Sequence, residues 1–235
     1  MNHDTTSAHT APALRVGSYN IRHGADVSLD ISVIAADITA HALDIVGLQE
    51  IDQLTSRVNG LDTVRALSDA TSYKYYYFAK AINYKGGEYG TAILSRYPIA
   101  KFEVIKLESD NKEQRCVGHA VVDVNGTAID FFNTHLSYES LELRTAQFAQ
   151  ISALLADCDT YILTGDFNTA VMSEFSVLPD ATLVNNGSFG TFPSSDKAID
   201  NIVISSKLSV LDAGMGPLGH SDHRLLWAEL IFEAK

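Results

Sequence analysis

The sequence is short of cysteine, of basic side chains and of long apolar runs. Cysteine occurs twice in 235 residues, as Cys116 and Cys158, far apart and without the spacing of a zinc or dithiol redox site. Both read as small buried residues, and no disulfide is indicated. Basic side chains are outnumbered: 17 Lys and Arg stand against 29 Asp and Glu, for a formal net charge of −12 and a pI of about 4.9. Nucleic-acid affinity comes largely from basic groups that displace counterions. Tight, extended binding to a phosphate polymer is therefore disfavoured. No apolar run approaches the ~18 residues of a membrane span. Yet 46% of the residues are hydrophobic, enough for one sizeable core. The opening "MNHDTTSAHTAPA" has neither the basic start nor the apolar block of an intact secretory signal. Residues 1–13 read as a flexible leader and 14–235 as a single domain. A cytoplasmic protein and a secreted one whose signal has been removed both stay open, and a monomer is expected. Repeats, low-complexity tracts and linkers rich in Pro or Ser are absent. So is the Gly-x-Ser-x-Gly elbow of a serine hydrolase.

What is present is an irregular alternation of strands and helices. "LRVGSYNI" (14–21) reads as a strand. "DISVIAADITAH" places Ile31, Ile34, Ala35 and Ile38 at helical spacing behind Asp30 as N-cap. "DIVGLQE" has the unbroken apolar centre of a strand covered on both faces, and a second helix is expected at about 60–70. Strands follow at 73–82 and 90–96, separated by a flexible "KGGEYG", and Pro98 breaks the pattern. Segments 115–124 and 127–136 flank Asn125-Gly126, a strong hairpin signal. A helix from about 140 to 156 sets Leu141, Phe148, Ile151 and Leu155 on one face. Strands are expected again at "TYILTGDFN", at 199–205 and at 223–232. This pattern suits two mixed sheets packed face to face with helices outside.

Six of the apolar segments carry an acid, an amide or an imidazole at one end. Asn20, Glu50 and His135 end three strands, Asp166 and Asn168 end a fourth, Asp200 begins a fifth, and Asp222 and His223 lead into the last. Each has a bland alternative. Asp166 and Asn168 fit an Asx-turn, Glu50 a solvated strand end, Asn20 a turn, His135 a half-buried histidine, and "SDH" a turn. Gathered at one rim, they would make a pocket of carboxylates, imidazoles and amides. Period two sets Asp166 and Asn168 on one side if the strand persists. Such a pocket suits phosphate-ester hydrolysis: oxygen ligands hold a hard ion such as Mg²⁺, an oriented histidine handles protons, and fixed donors stabilise the crowded phosphorus.

"SYNIR", "LQE", "NTHL", "GDFN", "IDNIV" and "SDH" follow one another in that order. Together they resemble the endonuclease/exonuclease/phosphatase superfamily over residues 14 to 232. The resemblance implies a four-layer α/β sandwich, two packed mixed β-sheets flanked by helices, with the site at one edge. It implies a phosphoesterase using Mg²⁺, with Mn²⁺ as a substitute. Glu50 would be the main metal ligand, with Asn20 beside it and Asp222 serving a metal or orienting His223. Asp166 and Asn168 would hold the attacking water and a phosphate oxygen. His223 would contact the phosphate or act as base, oriented by Asp200 or Asp222, and His135 would stabilise the transition state. Which of Asp166 and His223 takes the proton is left open. "EYGTAILSRYPI" and "EQR" also look like bacterial members, which puts Tyr89 near the site and Arg115 on a phosphate. Arg22 and His23 follow Asn20 closely enough to line the rim, or else form an exposed loop. A small-molecule or lipid-linked phosphoester is the favoured substrate. The alternatives are a metal-dependent nuclease, with a groove from Arg57, Lys74, Lys80 and Lys85, and a binding module that has lost the chemistry. His119 reads as packed, and His220 as a neighbour of the site.

Overall fold

The computed structural model describes residues 13–233, so the expected leader, apart from Ala13, lies outside the described residues. Among the described residues, twelve strands form two six-stranded sheets. The first contains β1 (Leu14–Asn20), β2 (Ile45–Gln53), β3 (Tyr75–Tyr84), β4 (Gly87–Ser95), β11 (Leu208–Met215) and β12 (Leu226–Phe232). Their order is β11-β12-β1-β2-β4-β3. The second contains β5 (Ile99–Lys106), β6 (Cys116–Val124), β7 (Thr127–His135), β8 (Tyr161–Asp166), β9 (Ala181–Leu183) and β10 (Asp200–Ser205). Their order is β5-β6-β7-β8-β10-β9. Each sheet has one parallel pair at its centre, β1/β2 and β7/β8, with antiparallel pairs on either side.

The strand sequences explain the layering. β8 and β10 are buried along their whole length, because each is covered on both faces. Val16, Ile45, Phe131, Ile162, Ile202 and Leu226 fill the space between the sheets. Outside the first sheet lie α1 (Ile31–Ala40) and α2 (Thr63–Thr71). Ile34, Ile38 and Leu67 there pack on Leu48 and Leu94. Outside the second sheet lies α3 (Leu141–Leu155), whose Phe148, Ile151 and Leu155 pack on Phe132, Leu163 and Val203. The result is a four-layer α/β sandwich. One polar pin crosses its apolar middle. Asn133 donates to the carbonyls of Leu48 and Ala92, both at 2.9 Å, and accepts from Gln49 Nε2 at 2.7 Å and Thr164 Oγ1 at 3.1 Å. All its polar capacity on these atoms is used, as a buried amide requires.

The hairpin at Asn125-Gly126 forms, with both residues at positive φ (55° and 91°). Asp30 caps α1 through Ser32 N–H at 3.1 Å. Several expectations are corrected. "KGGEYG" is not a flexible spacer: only Lys85-Gly86 turns, and Gly87 already pairs with Tyr84. Leu141 is exposed rather than packed, and Leu143 takes the buried position. Cys158 is half-buried, unlike Cys116, and both are free. Strands β5, β9 and β11 went unforeseen. β9 is three residues long, β11 is interrupted by a bulge near Asp212, and β5 starts directly after Pro98, where a proline is tolerated.

Candidate active site

Register assembles half of the site. In the second sheet His135 pairs with Asp166 across the parallel β7/β8 ladder. Asp166 in turn pairs with Asp200 across the antiparallel β8/β10 ladder. Three chemistry-bearing residues from sequence-distant strands thus stand in one row at one sheet end. The first sheet supplies the facing row. Asn20 ends β1 and pairs with Gln49 of β2. At that point β2 bulges against β4, between Leu48 and Ile51, and Glu50 takes a φ of +55°. A left-handed non-glycine residue in a bulge is strained, and such strain is typical where a side chain is re-aimed. Here the bulge lets Gln49 reach Asn133 in the interior while Glu50 faces the cleft.

The two rows are joined by hydrogen bonds. Asn20 Nδ2 donates to Asp166 Oδ2 at 3.0 Å and to Glu50 Oε1 at 3.1 Å. His223 Nδ1 donates to Asp200 Oδ2 at 2.8 Å, and its Nε2 lies 3.6 Å from Asp166 Oδ2. His135 Nε2 approaches that same Asp166 oxygen at 3.4 Å. Ser221 Oγ donates to the Asn20 carbonyl at 2.8 Å, which fixes the turn that delivers His223. Asn168 has a φ of +52°, so the strand does not persist and the expected period-two placement fails. Its N–H instead closes an Asx-turn on Asp166 Oδ1 at 2.9 Å, and its amide donates to Leu136 O at 2.9 Å. Turn and site are the same structure.

Electrostatics follow from burial. Asp166 is driven up to about 7, first by desolvation and then by the charge of Asp200. Burial opposes the charge on His223, but Asp200, Asp166 and Asp222 outweigh it and push the imidazole up to about 10. His135 is held well below its ordinary value by burial, with Arg115 and His223 adding to the effect. Glu50 is raised, by burial first and with Asp222 pushing the same way. At neutral pH the resting site therefore holds a charged His223 and a neutral His135.

Asp166, Asp200 and His223 bring one ligand atom each within 4.8 Å of one another. That compact cluster has a metal-like spacing, but the His223–Asp200 hydrogen bond already occupies it. The donor set that better fits a hard cation is Glu50 with Asp222. These are two cleft-lining carboxylates that repel each other, and Glu50 has no ion-pair partner among the described residues. Asn20 turns its amide nitrogen to Glu50, while its Oδ1 accepts Arg22 N–H at 3.1 Å. It therefore holds Glu50 and Asp166 together rather than offering them an oxygen.

These groups open on a cleft of about 750 Å³. Tyr89 and Arg115 line it. Arg115 is 4% exposed and reaches Glu113 at 3.1 Å, while its Nε is buried without a partner. Asp222 lies at the cleft beside Arg22, whose Nε is 3.5 Å away, and Asp200 rather than Asp222 orients His223. Arg22 is committed to Asp26 at 3.1 Å and to Asp222. Neither Arg22 nor His23 is on the cleft wall, and Arg22 meets the cleft through Asp222 at its edge. His220 turns away to Asp37, at 2.9 Å. His119 is packed, stacked on Phe132 between Glu103 and Asp130. Sequence reasoning missed Tyr138, Val171 and Phe192, whose ring lies 4.9 Å from that of His223. Tyr138 stands three residues past His135, a proximity that was there to be read. Phe192 carries no local signal.

Comparison with known proteins points the same way. The family profile described as Endonuclease/Exonuclease/phosphatase family matches residues 17–223. The uncharacterized protein YbhP of Escherichia coli is 30% identical over 145 residues, covering 59% of this chain and 56% of that protein. The chain thus spans little more than half the length of that relative. Among solved structures, an endonuclease/exonuclease/phosphatase from Beutenbergia cavernae superposes with a TM-score of 0.80 at 22% identity, over 94% of this chain and 72% of its own. The mannosyl-6-phosphatase Bt3783 of Bacteroides thetaiotaomicron does so with a TM-score of 0.71 at 20% identity, over 93% of this chain and all of its own.

Proposed function

The chain belongs to the endonuclease/exonuclease/phosphatase family, and on that premise we propose that it is a Mg²⁺-dependent phosphoesterase acting on a compact phosphoester, free or lipid-linked. The observation that carries this reading is the His135–Asp166–Asp200 row, bridged by Asn20 to Glu50 of the facing sheet.

Glu50, with Asp222 beside it, would hold the cation, which neutralises charge on the phosphoryl and departing oxygens. Arg115, which lines the cleft, would set its guanidinium against a phosphate oxygen. His223, steadied by Asp200, keeps its proton and presents Nε2 to the phosphate. His135 is neutral and serves as a hydrogen-bond donor. Asp166 takes one proton from the attacking water, whose oxygen forms the new P–O bond as the bond to the leaving oxygen breaks, and the departing alkoxide takes its proton from solvent. This assigns Asp166 as the base and His223 as the positive contact.

Charge pairing supports a compact substrate over a nucleic acid. Arg57 is held by Asp52, Lys80 by Glu88, Arg115 by Glu113 and Arg144 by Glu174. The groove expected from Arg57, Lys74, Lys80 and Lys85 therefore has two of its four cations neutralised, which weakens any counterion-release grip. The Bacteroides neighbour is a mannosyl-6-phosphatase, which agrees with a small phosphoester. The test is a panel of sugar phosphates, inositol phosphates, sphingomyelin and nucleotides with Mg²⁺, beside plasmid nicking at low salt and a His223→Ala control. Turnover of at least one compact ester, lost in the control, is expected. Efficient nicking with no other turnover would replace this reading with a nuclease, and inactivity toward every ester would indicate a binding module.

A further inference from the structure

One stretch of the cleft rim is apolar and open to solvent. Tyr138 and Val171 both line the cleft, and they are 68% and 55% exposed. Leu141, three residues beyond Tyr138, is 52% exposed. Single exposed apolar residues are ordinary. These differ because Tyr138 and Val171 come from separate loops and border the same cleft as Asp166 and His223.

Both loops are braced. Asn168 Nδ2 ties the turn after β8 to Leu136 O after β7 at 2.9 Å. Arg144 grips Glu174 with two bonds of 3.0 and 3.2 Å and reaches Ser137 O at 3.5 Å. Glu174 also accepts Thr169 Oγ1 at 2.6 Å. A rim tied at both roots keeps its apolar side chains at the cleft edge. The same brace consumes the charge of Arg144, and Arg115 is paired with Glu113. The rim thus offers apolar contact at Tyr138 and Val171, while the exposed Lys197, without an ion pair among the described residues, is the cation left free on the cleft wall.

We infer that Tyr138 and Val171 form a subsite for an apolar leaving group, so that the preferred substrate is a phosphoester of an alkyl-chain alcohol. This rests on the phosphoesterase reading and narrows it. The occupant is the substrate's own alcohol, because the rim is continuous with the reacting groups.

The test compares n-hexyl with methyl esters, each as the phosphomonoester and as the methyl phosphodiester, with Mg²⁺ and below micelle formation. Partial burial of the extra methylenes predicts a kcat/KM preference of roughly 10- to 30-fold for hexyl. The hexyl-to-methyl ratio is then measured in Tyr138→Ser and Val171→Ser, where it should fall severalfold. General damage to the fold would lower both esters alike and leave the ratio unchanged. A ratio near one in the wild-type enzyme, or one unmoved by both substitutions, overturns the inference while leaving the phosphoesterase intact. No turnover of any of the four esters, with turnover of a sugar or inositol phosphate, overturns the inference alone; inactivity toward those phosphates as well contradicts the phosphoesterase reading, and the subsite with it.

Discussion

Replacing Asp200 by Asn tests how His223 acquires its charge. The carboxylate is fully buried and accepts His223 Nδ1–H at 2.8 Å, while its other oxygen has no partner. His223 rises from 6.5 to about 10 against the cost of its own burial, with Asp200 the largest upward influence and Asp166 and Asp222 behind it. A rise of that size corresponds to roughly 5 kcal/mol of preference for the imidazolium. Assigning Asp200 about half of it, the substitution should lower the His223 midpoint by roughly two units. The sign for stability follows. A histidine raised in the folded state contributes stability that is complete below pH 6.5 and is lost as pH rises through about 10. The wild-type advantage over the variant should therefore be greatest near pH 6 and shrink by pH 10. The assay is an NMR titration of the histidine rings in metal-free protein, with urea unfolding across the same pH range. Turnover should fall by roughly 10²–10³, the usual cost of losing one preorganised electrostatic contact. A His223 midpoint that stays near 10 in the variant, or a stability difference flat with pH, refutes the reasoning.

Other outcomes follow from the same geometry. Glu50→Gln should lose about 10²-fold or more in turnover and weaken Mg²⁺ binding in calorimetry, with its melting temperature kept or raised. The substitution removes a desolvated acid without an ion-pair partner. Because burial raises Glu50, a proton competes with the cation, so metal affinity should increase from pH 5.5 to 7.5; equal affinity at both would contradict the Glu50 site. Asn133→Ala should cost about 2–4 kcal/mol in urea unfolding, since it strands the carbonyls of Leu48 and Ala92.

The sequence exposed the strands that end in chemistry more clearly than those at the sheet edges. β8 and β10 are buried on both faces, so their apolar runs are continuous and their polar terminal residues stand out. β9 and β11 are short or broken edge strands whose residues follow no strict alternation. Gathering of the polar ends was legible as a pattern, but the row linking His135, Asp166 and Asp200 depends on ladder register. Register between strands about thirty residues apart is fixed by packing, which no local signal encodes. The same limit explains Asn168, whose left-handed backbone ends the period, and Asn20, whose amide faces two acids at once. Arg22 and His23 were placed by closeness in sequence to Asn20. The chain turns sharply there, with φ of 43° and 47°, and Arg22 ends on Asp26 and Asp222 rather than on the cleft wall.

Anomalous diffraction from crystals soaked in Mn²⁺ tests most directly whether the cation sits on Glu50. One strong peak is expected in the cleft, within about 2.3 Å of a Glu50 carboxylate oxygen, with the His223–Asp200 hydrogen bond intact. A peak held by Asp166, Asp200 and His223 with Glu50 unengaged, or no peak in the cleft at saturating Mn²⁺, would contradict that placement.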